Sequence, residues 1–87
     1  MSADHLIDEL VEELAAIEHA RWAKWQQYLH GKAQPRADGS LVIPSELVRR
    51  WEHQIETPYS ELSEKEKESD REQVRAYLDI IKRALRR

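Results

Sequence analysis

Pro58, with Ser63 and Glu66 close behind it, dictates that one helix stops and another starts within a short stretch of chain. The residue before a proline is pushed out of the helical region, so a helix approaching from the N-terminal side ends by Thr57. Ser63 followed three residues later by Glu66 is a capping-box pattern, in which each side chain satisfies a free backbone N–H of the other. A helix therefore starts at Ser63 and runs nearly to the end, with Val74, Tyr77, Leu78, Ile81 and Leu85 as its apolar face. Tyr59 and Leu62 fall between the two helices, where Leu62 is placed to supply core.

Working back from that junction, Pro44 and Ser45 open the preceding helix, whose inward side is Leu47, Val48, Trp51 and Ile55. A long first helix is predicted from His5 to His30. Its stripe holds Leu6, Ile7, Leu10, Val11, Leu14, Ile17, Trp22, Trp25, Tyr28 and Leu29, and Gly31 is a C-cap candidate. Residues 32–40 read as a loop around Pro35 and the turn pair Asp38-Gly39. Leu41-Val42-Ile43 is an extended connector or a strand fragment. None of these helices can bury its stripe alone, so an all-α domain spanning residues 1–87 is predicted, with three main helices packed around one core.

Bulk properties narrow the class. With 87 residues, the chain is one small domain whose burial and stability margin are limited. Apolar residues make up 40% and charged residues 36%, a balance of folded, soluble chains rather than disordered ones. No apolar run approaches the roughly 18 residues of a membrane span. The acidic N-terminus lacks the basic-then-apolar order of a signal peptide. Absence of cysteine fits a reducing cytoplasm. A net charge of −3 weighs against nucleic acid as a partner. The basic cluster Lys82, Arg83, Arg86 and Arg87 complements a helix C-terminus, with a phosphate-contacting tail as the lesser reading.

A periodic stripe is most informative where charge interrupts it. Glu18 lies within the stripe of the first helix, Arg21 on its flank and His19 near its edge. The last helix carries Lys67, Asp70 and Arg71 where its apolar face would continue. Unpaired charge is too costly to bury, so these groups are paired, solvated or holding something. One arrangement is an internal ion-pair cluster, for example Glu18 with Arg71 and Arg21 with Asp70. The other is an open polar pocket with an aromatic wall. Trp22 and Tyr59 beside Arg21, Lys67 and Arg71 would suit a stacked base and a phosphate held by cations. Glu18 and Asp70 would then orient those cations.

At these residues the chain resembles the RyR domain, the repeat unit of ryanodine receptors that also occurs in bacterial and phage proteins. The first element is Glu18-His19-Ala20-Arg21-Trp22, matching a His-x-x-Trp motif with its bacterial Glu and Arg. The second runs from Pro58-Tyr59 through Leu62 to Lys67, Asp70 and Arg71. The resemblance covers Leu14 to about Leu85. It departs in the middle, where Gly31-Lys32 and a segment around Trp51 replace the family's Gly-Trp and its Gly/His/Pro-rich loop. Trp25 or Trp51 could stand in for a second aromatic wall. The compact form is similar to small prophage proteins.

The resemblance implies a non-enzymatic module that binds a nucleotide-derived ligand, and in a phage setting the sequestration of a host nucleotide signal. The residues it implies for the ligand are Glu18, His19, Arg21, Trp22, Tyr59, Lys67, Asp70 and Arg71. The alternative is a helical protein–protein adaptor whose charges are internal salt bridges. Self-association suits either reading, because so small a core benefits from a second buried face.

Other chemistries find little footing. His5, His19, His30 and His53 lack the i,i+3 or i,i+4 spacing of a zinc site, so no metal and no cofactor is expected. Acidic neighbours such as Glu12-Glu13 and Glu64-Glu66 read as solvated faces rather than catalytic pairs. With only Gly31 and Gly39 there is no glycine-rich phosphate loop. Trp25 and Trp51 read chiefly as core.

Overall fold

A computed structural model describes residues 2–86. Its elements in order are α1 (Ala3–Asp8), α2 (Val11–Lys32), β1 (Gln34–Pro35), β2 (Leu41–Val42), α3 (Ser45–Glu56), a 3-10 turn (Tyr59–Glu61) and α4 (Glu64–Leu85). Helix dominates, but the chain is not purely α. The stretch left open between connector and strand pairs antiparallel with the segment after α2, Gln34 opposite Val42 and Pro35 opposite Leu41. Gly39, at φ 89°, supplies the left-handed residue of the hairpin turn. The Asp38 carboxylate closes that turn, accepting from the Ser40 N–H at 2.9 Å and hydroxyl at 2.6 Å.

The junction around Pro58 follows its local chemistry. Thr57 ends α3 in an extended conformation, and its hydroxyl donates to the His53 carbonyl at 2.6 Å. Ser63 caps α4: its Oγ accepts from the Glu66 N–H at 3.2 Å, while Glu66 Oε1 accepts from the Ser63 N–H at 3.2 Å.

The first helix differs from expectation at both ends. It breaks at Glu9-Leu10, where the Leu10 N–H donates to the Ile7 carbonyl at 2.9 Å, and α2 starts again without a side-chain cap. Leu10 is only 1% exposed. Burying one leucine contributes about 1.5–3 kcal/mol, enough to offset one or two ladder bonds of about 1 kcal/mol each. At the other end α2 runs through Gly31 to Lys32, and the terminating residue is Ala33 in an extended conformation. Gly31 is thus a helix-interior residue rather than a C-cap.

Helix packing among the described residues is sparse. Leu10 and Ala84 are the fully buried hydrophobic residues among those described. Helix α4 packs beside both α1 and α2, and α3 reaches α2 through Trp51 against Trp25. The shape is an elongated slab of 55 × 34 × 16 Å. Its radius of gyration, 17.6 Å, exceeds the roughly 12 Å of a compact chain this long. On the inward side predicted for α3, Leu47 and Trp51 are half-buried while Val48 and Ile55 face solvent. On α4, Tyr77 and Ile81 are half-buried, but Val74, Leu78 and Leu85 are exposed; Ile80 and Ala84 take their place on the covered side. Among the described residues, no helix is long and apolar enough to cross a membrane.

Two substitutions test these local readings. Ser63→Ala removes the capping box and is expected to cost about 1 kcal/mol in chemical denaturation; an unchanged midpoint would show that the box adds nothing. Gly31→Ala should stabilise by about 0.5–1 kcal/mol, because the site is helical and a Cβ there meets nothing within 4 Å. A loss of stability instead would restore Gly31 as a terminating residue.

Candidate functional site

Two charged groupings stand on neighbouring helices. On α2, Glu18 and Arg21 sit one turn apart and form an ion pair, with Arg21 Nε donating to Glu18 Oε2 at 3.2 Å. The Tyr77 hydroxyl of α4 donates to the same carboxylate. Arg21 first, and Tyr77 second, hold the Glu18 carboxyl down at about 2. The carboxylate in turn raises the Arg21 guanidinium. One turn of helix also stacks His19 on Trp22, ring centres 5.9 Å apart, with Trp22 53% exposed.

The second grouping belongs to the first half of α4 and the 3-10 turn before it. Arg71 Nη1 lies 3.2 Å from Glu64 Oε2 and 3.4 Å from Glu68 Oε2. Arg75 Nη1 donates to Glu68 Oε1 at 2.5 Å. Glu64, with Tyr59 and Glu68 adding, raises the Arg71 guanidinium; Glu68 raises Arg75. Arg75 chiefly, with Arg71, holds the Glu68 carboxyl below its ordinary range. Lys67 Nζ sits 3.7 Å from Glu64 and 5.9 Å from the centre of the Tyr59 ring. Its side chain is only 18% exposed, so its aliphatic stem is covered while the ammonium reaches the ring.

Beside this grouping runs an open groove of about 490 Å³, lined by Tyr59, Asp70, Arg71, Val74, Arg75 and Leu78. Helical spacing explains the lining: Arg71, Val74 and Leu78 follow one another at three- and four-residue steps, and Arg75 sits one turn from Arg71. The capping box sets where α4 begins, and the Pro58 junction places Tyr59 just ahead of it.

Of the residues singled out from the sequence, Tyr59, Asp70 and Arg71 line the groove, and Lys67 stands against the Tyr59 ring. Glu18, His19, Arg21 and Trp22 do not line it. The cross-helix pairs Glu18–Arg71 and Arg21–Asp70 are replaced by pairs within each helix, because partners three residues apart meet without any tertiary constraint. Trp25 and Trp51 pack on each other, edge to face at 5.6 Å, and Trp25 also stacks on Tyr28 at 5.4 Å.

Three residues escaped the sequence reading. Arg75 belongs with Arg71, and its place one turn further on could have revealed it. Val74 and Leu78 were assigned to the core, a fair inference from an apolar stripe that holds only if a partner covers it. Near the C-terminal turn a second shallow concavity of about 460 Å³ is lined by Asp79, Lys82, Arg83 and Arg86, three of the basic cluster; Arg87 lies outside the described residues. Among the described residues, no group of three histidine, cysteine or acidic side chains could hold a metal ion. Compared with family models, curated proteins and solved structures, the chain finds no match.

Glu18 offers a direct check on the α2–α4 contact. Its carboxyl should titrate by NMR near pH 2, against an ordinary 4.5, and should move upward in Tyr77→Phe. The folded value lies below the unfolded one, so its contribution to stability is present above about pH 4.5 and fades as pH falls toward 2. Titration of Glu18 together with the ordinary glutamates would mean that neither Arg21 nor Tyr77 holds it.

Proposed function

We propose that the chain is a non-enzymatic binding module whose groove beside α4 takes a nucleotide-derived anion. The observation that carries this is a groove in which the exposed Tyr59 ring meets Arg71 and Arg75 over an apolar floor of Val74 and Leu78. A planar base can stack on Tyr59 and cover the floor, while the guanidinium forks take phosphate oxygens two at a time. Lys67, next to the Tyr59 ring, adds a third cation within reach. Glu64 and Glu68 hold the arginines in place before the ligand arrives, which lowers the ordering cost of binding. Asp70, at the groove edge, can accept from a ribose hydroxyl or base amine.

The resemblance to the RyR domain supports the ligand class, and with it the sequestration of a nucleotide signal. Glu18, His19, Arg21 and Trp22 enter this reading by resemblance alone. A helical protein–protein interaction module is the second reading, favoured by the apolar side chains left exposed on α4 and α3.

Calorimetry against mono-, di-, cyclic and ADP-ribose-type nucleotides is the decisive measurement. One class should release heat, and Arg71→Ala should lose at least about tenfold in affinity, the loss of one bidentate phosphate contact. The melting temperature of Arg71→Ala should hardly move, because its ion pairs are on the surface. Silence across the panel, without any thermal shift, would end the ligand reading. Marked unfolding of Arg71→Ala would instead make its ion pairs structural.

A further inference from the structure

Helix α4 bears two adjacent seams, and the chain covers one more fully than the other. Gln73, Tyr77, Ile80 and Ala84 recur at steps of four, three and four residues and form the covered or half-covered side. Val74, Leu78, Ile81 and Leu85 repeat the same steps one residue on, the spacing of a seam between two packed helices. Val74, Leu78 and Leu85 are 51%, 41% and 60% exposed, while Ile81 is half-buried. We propose that this second seam docks on the same seam of a second copy of the chain, with the two α4 helices antiparallel.

The area left uncovered argues for an occupant of that size. The chain exposes 7233 Å². A compact monomer of 10.3 kDa exposes about 5,400 Å², so the excess is about 1,900 Å². Permanent homodimers bury about 1,000–2,500 Å² from each partner, so the excess, which also includes exposed side chains on α2 and α3, is large enough to hold such an interface.

Charge argues for a copy of the same helix, and for its direction. From Glu64 to Glu72, α4 carries Glu64, Glu66, Glu68, Asp70 and Glu72 against Lys65, Lys67 and Arg71. From Gln73 to Arg86 it carries Arg75, Lys82, Arg83 and Arg86 against Asp79 alone. An antiparallel pair lays each acidic half along a basic half and opposes the helix dipoles favourably; a parallel pair would set the basic ends side by side. Centring the pair between Val74 and Leu78 puts Val74 of one copy against Leu78 of the other. Because the seam includes Val74 and Leu78 of the groove floor, the second copy would cover that floor, and self-association would compete with a ligand there. The docking itself does not rest on the ligand reading.

Sedimentation equilibrium of the full chain, without nucleotide, is expected to give about twice the 10.3 kDa chain mass. Leu78→Glu should weaken association at least about 100-fold, since each dimer loses two central leucines. Its helical circular dichroism should persist. Ile55→Glu, at an exposed site on α3, should leave association unchanged. The chain has no cysteine of its own, so single-cysteine variants report direction. A mixture of Val74→Cys and Leu78→Cys chains should form the mixed disulfide-linked dimer readily. Leu85→Cys should not, because its two copies would lie about 27 Å apart along the axis.

A chain that stays monomeric and folded at high concentration would leave the seam to a different protein and overturn the proposal. So would dissociation by Ile55→Glu in place of Leu78→Glu, or rapid linkage of Leu85→Cys. A chain that binds no nucleotide either as a dimer or when diluted to monomer would sink the ligand reading alone, and a chain that binds nucleotide but stays monomeric at every concentration would sink this one.

Discussion

The Tyr77 hydroxyl on the Glu18 carboxylate is the polar contact on which the relation between the two long helices depends. The bridge joins residues 59 positions apart and ties α4 to α2. It works beside a very small core, Leu10 and Ala84, that sets α4 among its neighbours. A carboxylate accepting from both Arg21 and Tyr77 is charge-assisted on one side and directional on the other, which fixes rotation as well as distance. The groove then opens along the flank of α4 that Tyr77 does not occupy.

That geometry separates two sets of charges that look alike in one dimension. Glu18, His19, Arg21 and Trp22 make a self-contained patch on α2, completed by Tyr77. Tyr59, Lys67, Arg71 and Arg75 make another, ordered by Glu64 and Glu68. The first holds two helices together, and the second faces the groove. A polar break in an apolar stripe can thus serve packing on one helix and an open surface on the next.

Legibility followed the range of each interaction. The end of α3 at Thr57, the start of α4 at Ser63 and the turn at Asp38-Gly39 are set by contacts within four residues, and all three were readable. The break at Leu10 was not, because no proline, glycine or cap marks it; it depends on what Leu10 is buried against. Gly31 misled for the complementary reason. A glycine after a periodic stretch resembles a C-cap, yet the helix continues while its backbone bonds can be made. The nearness of Tyr59 to Lys67, Asp70 and Arg71 was legible because a junction and a helical face place them together. Arg75 and the separation of Trp22 from Arg71 were not, since rotation of α2 about its own axis is invisible in the spacing.

By itself the sequence determined where helices begin and end around Pro58 and which side chains share a face of α4. Those properties depend on backbone sterics, capping and a 3.6-residue period, all local. Only the tertiary structure decided which of the two seams on α4 is more fully covered, which carboxylate holds which guanidinium, and that Val74 and Leu78 floor a groove instead of filling a core. The more apolar of the two stripes on α4, Val74 to Leu85, is the less covered one, and the choice rests on the Tyr77–Glu18 bridge and the burial of Leu10 and Ala84.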